Sequence, residues 1–201
     1  RYAQGTRMGH WQESTIFTRH DYPSFELQGR VLGIVGYGNI GRKVTEMAQA
    51  FGLRVIVAAR FGEDRSQPAR LPVEEVLRQA DFVSLHCPLT SLTKGMINSH
   101  TLSLMKSTAY LINTARGGLV EEGALIEAVE QGRIAGAALD VISQEPPEQG
   151  HPMMEVAARL DNLLITPHCA WAARETRQRL LAEVFENIQA FQGGERRNRV
   201  D

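Results

Sequence analysis

A chain of 201 residues, 43% of them hydrophobic, suits one large domain or one and a half. Its net charge of −1 offers no basic surface for nucleic acid or an anionic membrane. No apolar run reaches membrane-spanning length and no signal peptide is visible, while the two cysteines, Cys87 and Cys169, make no disulfide framework and fit a reducing, cytoplasmic compartment.

Residues 1–25 mix Trp11, Phe17, Tyr22 and Phe25 with charges and show no clear period. They are expected to form a helix end and an extended arm, with the aromatics either at a subunit contact or over the chain's own core. The first residue is arginine rather than methionine, so the chain is expected to start inside a longer protein.

The stretch Arg30-Val-Leu-Gly-Ile-Val-Gly-Tyr-Gly-Asn-Ile-Gly-Arg42 predicts a buried strand, a glycine turn and a helix start. Gly36, Gly38 and Gly41 stand at G-x-G-x-x-G spacing, and each glycine has its own task in a dinucleotide site. Gly36 permits the tight turn, Gly38 lets the backbone approach a pyrophosphate, and Gly41 lets the helix pack close to the strand. Asn39 and Ile40 complete a helix N-terminus whose N–H groups and partial positive charge suit phosphates. The motif alone is weak, but Val44, Met47, Ala48 and Phe51 follow at helical spacing and residues 55–58 give a second strand.

That strand ends in Ala59-Arg60, at the corner where a dinucleotide site reads the adenosine ribose. A carboxylate there accepts from a 2′-hydroxyl and repels a 2′-phosphate. A guanidinium gives phosphate paired, charged hydrogen bonds, so NADP(H) is favoured over NAD(H). Arg65 could assist, whereas Glu63 and Asp64 could bind a ribose and keep NAD(H) open.

Residues 71–80 predict a short amphipathic helix with Pro72 in its first turn. A strand over 81–85 leads to His86-Cys87-Pro88, a short helix covers 98–105, and a strand over 109–113 opens into Thr114-Ala115-Arg116-Gly117-Gly118. A helix spans 121–131, a strand 134–141, a last strand 163–165, and a helix runs from about Trp171 to Phe191. This alternation predicts an α/β fold, a Rossmann-type doubly wound parallel sheet with helices on both faces. Arg116, Asp140, Glu145 and His168 fall at or after strand C-termini, the edge where such sheets bind ligands. Simpler roles stand beside these: capping or a salt bridge for Arg116, a turn for Glu145, a structural histidine at His168, and capping for Asp140. The pairs His86-Cys87 and His168-Cys169 lack metal-ligand spacing, so no metal is expected.

Three stretches resemble the D-isomer-specific 2-hydroxyacid dehydrogenase family: Gly36-Tyr-Gly-Asn-Ile-Gly41, Leu111-Ile-Asn-Thr-Ala-Arg-Gly-Gly-Leu-Val120, and Asp140-Val-Ile-Ser-Gln-Glu-Pro146 with Thr166-Pro-His168. Asp21-Tyr-Pro23, Ser143-Gln-Glu-Pro-Pro147 and His168-Cys-Ala-Trp-Ala172 are most similar to its glycerate dehydrogenase, or hydroxypyruvate reductase, branch. The resemblance implies hydride transfer between NAD(P)H and a small 2-keto or 2-hydroxy acid such as hydroxypyruvate or glyoxylate. It implies that Arg116 binds the substrate carboxylate, Glu145 orients the histidine and His168 is the acid/base. It brings Asp140 to the nicotinamide amide and lines the cofactor groove with Pro88, Thr93, Thr114 and Ala115. It further implies a homodimer, an arm over residues 1–25, a cofactor domain over 26–172, and a segment over 173–201 returning toward a substrate domain largely missing from this chain. Two other classes stand against it. A catalytically silent dinucleotide-sensing dimer need not keep Arg116, Glu145 and His168 together, and a nucleoside-cofactor transferase has no use for the Asn113–Gly118 loop.

Overall fold

The computed structural model describes residues 1–22, 24–59 and 70–198. Six parallel strands form one sheet: β1 (Val31–Val35), β2 (Arg54–Val57), β3 (Phe82–Leu85), β4 (Tyr110–Asn113), β5 (Gly136–Leu139) and β6 (Leu163–Ile165). Their order is β2-β1-β3-β4-β5-β6, so the winding reverses between β1 and β3. This is the doubly wound architecture that the alternating pattern predicts. All five residues of β1 are buried, as expected of a parallel strand covered on both faces.

Seven α-helices accompany the sheet among the described residues: α1 (Tyr2–Arg7), α2 (Asn39–Ala50), α3 (Val73–Gln79), α4 (Ser99–Ser103), α5 (Glu122–Glu130), α6 (Pro152–Arg159) and α7 (Arg174–Gln192). The larger core gathers Val76 and Leu77 of α3, Leu102 of α4, Leu125 and Val129 of α5 and Met153 of α6 with Leu85, Leu111 and Leu139 of the strands. The smaller one sets Ala48 of α2 on Leu32 and Ile34 of β1.

Two elements differ from the sequence expectation. On α2 the buried residues are Gly41, Thr45 and Ala48, whereas Met47 and Phe51 are exposed. Small side chains let this helix lie close to β1, and the Thr45 hydroxyl turns back to the Gly41 carbonyl at 2.9 Å. Helix α6 is not foreseen at all, because the proline- and glycine-rich run before it reads as loop. Pro152 nevertheless occupies the first turn, where its missing N–H costs nothing, and Met153 and Val156 face inward.

Register fixes where the functional edge lies. Val35 pairs with Leu85, Leu85 with Asn113, Asn113 with Leu139, and Leu139 with Ile165. The next residues, Gly36, His86, Thr114, Asp140 and Thr166, therefore leave the sheet along one C-terminal edge.

Candidate active site

The cleft begins at the reversal between β1 and β3, the position where doubly wound sheets bind their ligands. Gly36 has a φ of +99°, and a Cβ on it would lie 2.5 Å from the backbone of His86 and Cys87. Only glycine lets the β1 turn pass the β3 turn there. A Cβ on Gly41 would strike the Gly36 carbonyl oxygen, so the helix start sits directly on the turn. A Cβ on Gly38 would meet nothing within 4 Å: this glycine faces open space. Gly38 is also the N-cap of α2 and, having no side chain, offers no cap of its own to the N–H groups of that first turn, where Asn39 and Ile40 stand. The three glycines thus divide into two that the fold requires and one that leaves room for a ligand. This arrangement fits a dinucleotide pyrophosphate.

A cavity of about 360 Å³ continues from this turn. Gly36, Gly38, Ala59, Pro88 and Thr93 line it, together with His86 and Arg70. Thr93 is buried, and its hydroxyl donates to the Pro88 carbonyl at 2.7 Å and accepts the Thr90 N–H at 2.8 Å. Its side chain shapes the groove wall. Desolvation lowers the pKa of His86 and raises that of Cys87, whose thiol packs inside. Arg70, not singled out from the sequence, is carried here by the bridge between Ala58 and Leu71. Arg60, with Glu63, Asp64 and Arg65, lies outside the described residues.

Further along the edge, Asn113 ends β4 and is 1% exposed. Its amide donates to the Arg116 carbonyl at 2.9 Å, and its Oδ1 accepts the Ala115 N–H at 3.0 Å. The loop of Thr114, Ala115 and Arg116 is therefore built on a buried amide. Thr114 and Arg116 are exposed, and none of the three lines the 360 Å³ cavity. Arg116 Nη1 donates to the Ala115 carbonyl at 2.7 Å, and among the described residues no carboxylate pairs with its guanidinium. Gly117 then packs so closely on the Ile142 carbonyl that a Cβ could not be placed, which joins the arginine loop to the segment after β5.

That segment carries Glu145. Its Oε1 accepts the Ile142 N–H at 2.9 Å, and its Oε2 lies 2.7 Å from Nδ1 of His168. Burial pushes the Glu145 carboxyl up, but the His168 and Ile142 hydrogen bonds outweigh it and hold the group below its usual range. An ionised carboxylate only accepts, so the proton sits on Nδ1 and Nε2 is the free ring nitrogen. His168 has a φ of +49°, in the left-handed region that costs a side-chain-bearing residue on the order of 1 kcal/mol.

Asp140 holds the backbone that imposes this conformation. It is 5% exposed, and its carboxylate accepts from the Thr166 hydroxyl at 2.5 Å, the Cys169 N–H at 2.9 Å and the Ala170 N–H at 2.8 Å. Burial again pushes its pKa up, and these donors more than reverse it. The capping alternative weighed for Asp140 thus describes what its oxygens do within the chain. Asp140, Glu145 and His168 share a second cavity of about 450 Å³ with Ile142, Met154 and Ile165. Among the described residues, no three His, Cys, Asp or Glu side chains form a group that could hold a metal ion.

The fold and this edge define a Rossmann-type nucleotide-binding domain with a histidine–carboxylate pair at its C-terminal rim. Residues 1–170 match the family described as D-isomer specific 2-hydroxyacid dehydrogenase, NAD binding domain, and the chain belongs to that family. It is 42% identical over 200 residues to a glycerate dehydrogenase of Methylorubrum extorquens, covering 100% of this chain and 62% of that protein. To a glyoxylate reductase of Aeropyrum pernix it is 42% identical, over 84% of this chain and 50% of that protein. The crystal structure of the TT0316 protein from Thermus thermophilus superposes with a TM-score of 0.81 at 41% identity, over 96% of this chain and 60% of that one. The chain thus spans between half and two thirds of the length of these relatives.

Proposed function

We propose that this chain is the cofactor-binding part of an oxidoreductase that transfers hydride between NAD(P)H and a small 2-keto or 2-hydroxy acid, with hydroxypyruvate and glyoxylate as the first candidates. The observation that carries this is the 2.7 Å contact between His168 Nδ1 and Glu145, beside an arginine loop at the ligand-binding edge of the sheet. The relatives' activities toward glycerate and glyoxylate support the substrate class.

Gly36, Gly38 and the first turn of α2, Asn39 to Gly41, would hold the pyrophosphate, with Ala59, Pro88, Thr93, Thr114 and Ala115 along the groove. Asp140 keeps lone-pair capacity on Oδ2 for a carboxamide. A bound nicotinamide supplies or takes the hydride. Arg116 binds the substrate carboxylate, for which a planar guanidinium offers two parallel hydrogen bonds. In reduction His168 gives its Nε2 proton to the oxygen of the reacting carbonyl, and in oxidation it takes the hydroxyl proton from the same place. Glu145 fixes the tautomer and stabilises the imidazolium. Residues 26–172 form the cofactor domain, residues 1–25 the arm, and residues 173–201 the segment that returns to a substrate domain.

Arg60 follows Ala59 in the sequence and favours NADP(H), because a guanidinium offers a 2′-phosphate paired, charged hydrogen bonds, and Ala59 itself lines the groove. A homodimer through the cofactor domain would cover the exposed Trp11, Phe17 and Phe25 of the arm. The unpaired Cys87 and Cys169 suit the cytoplasm.

His168→Gln in the full-length enzyme tests the acid/base role. Turnover with glyoxylate or hydroxypyruvate should fall by about 100-fold or more, the scale of a lost proton-transfer group. Fluorescence titration with NADPH should be unchanged. Retained turnover would remove His168 from the reaction.

A further inference from the structure

Behind the Glu145–His168 pair lies a second histidine–carboxylate contact that hydride transfer leaves without a role. Glu122 opens α5, shortly after the Arg116 loop. Its Oε1 accepts the Ser143 N–H at 2.6 Å. Ser143 follows Ile142, whose own N–H binds Glu145 at 2.9 Å. The other Glu122 oxygen lies 3.7 Å from His151 Nε2, within ion-pair range but too far for a hydrogen bond. His151 is 9% exposed, and among the described residues its Nδ1 has no hydrogen-bond partner. A buried ring nitrogen left unpaired costs stability, so a native fold that keeps one calls for an explanation. Gly117 packs against the same peptide, so closely that a Cβ on it would strike the Ile142 carbonyl and the Ser143 nitrogen. The Ile142–Ser143 peptide beside Glu145 is thus held by a close-packed glycine and by a carboxylate.

We infer that Glu122 is a positioning residue for the Glu145–His168 pair, with His151 backing its carboxylate. Glu122 fixes the Ile142–Ser143 backbone, that backbone directs Glu145, and Glu145 holds His168 in the Nδ1–H tautomer. This rests on the reading in which His168 moves the proton. A purely structural Glu122 would instead act as a favourable acid in the first turn of α5, with no effect on the imidazole.

Two measurements separate the possibilities. Ring-nitrogen NMR shifts of His168 in the chain report its tautomer directly. Steady-state kinetics in the full-length enzyme report turnover. Glu122→Ala should move His168 away from the Nδ1–H form toward the mixture of a free imidazole. It should lower kcat by about 10- to 100-fold, the cost of a misplaced catalytic group, with dinucleotide affinity unchanged. Glu122→Gln, whose amide oxygen can still accept from Ser143, should stay close to the wild type in both. If Glu122→Ala does not fold, Glu122→Asp, one methylene shorter with its charge kept, carries the same expectation. An unchanged tautomer and kcat would overturn the inference even if the melting temperature dropped. So would a Glu122→Gln as impaired as Glu122→Ala. Absence of turnover in the wild type would instead count against hydride transfer, and the NMR shifts would still decide the role of Glu122.

Discussion

At the residue scale, the site is governed by two carboxylates that keep their charge against desolvation, Asp140 in the buried interior and Glu145 at the exposed rim. Asp140 and Glu145 both have folded pKa values below the usual ones, because desolvation is outweighed by donors aimed at them. Asp81 behaves alike at the other edge of the sheet, where Lys106 and the Val31 N–H, each at 2.8 Å, overcome its desolvation. A depressed folded pKa stabilises the native state fully above the unfolded value, and that stabilisation is lost as pH falls through the folded one. The contribution of these carboxylates to the unfolding free energy should therefore be level at neutral pH and decline below the ordinary values of 3.8 for aspartate and 4.5 for glutamate. Asp140→Asn should lower stability at neutral pH and flatten that acid decline, as read by urea unfolding across a pH series. A decline of unchanged steepness would contradict it. The types and positions of Arg116, Glu145 and His168 were legible in the sequence, because each follows a strand. Asn113 and Glu122 were not, since a polar residue at the end of a strand or start of a helix looks solvent-exposed until register shows which way it turns.

At the scale of elements, the joint between β1 and α2 depends on the absence of a side chain. Gly41→Ala would push a methyl group onto the Gly36 carbonyl and lever the helix start away from the turn. The expected cost is about 1–3 kcal/mol, as for overpacking elsewhere, together with weaker dinucleotide binding. Chemical denaturation and a fluorescence titration would measure both, and unchanged values would remove Gly41 from the joint. The apolar strand, the glycines and the following helix made this joint readable. Helix α6 was not, because two of its eight residues, Met153 and Val156, are buried and a proline opens it, which leaves little periodic signal.

At the scale of the whole molecule, apolar surface is spread unevenly. Helix α7 buries none of its nineteen residues, and Leu181, Phe185 and Phe191 along it are strongly exposed. Met47 and Phe51 of α2 and Phe17 of the arm are exposed as well. Sedimentation at increasing concentration should show the proposed dimer, and a monomer at high concentration would count against it. The aromatics of the arm were legible as a candidate contact surface, whereas those of α2 and α7 were not, because their exposure depends on which faces the sheet leaves uncovered. The strand order has a consequence of its own. The glycine cradle lies at β1, and His168 follows β6, four strand spacings or about 19 Å away across the sheet. In the proposed function, the grip on the pyrophosphate and the proton-transfer pair would thus occupy two ends of one scaffold, with Asp140 serving the nicotinamide end beside the histidine. Substitutions in the two should combine additively, and the chemistry at one end could be retuned by mutation without rebuilding the other.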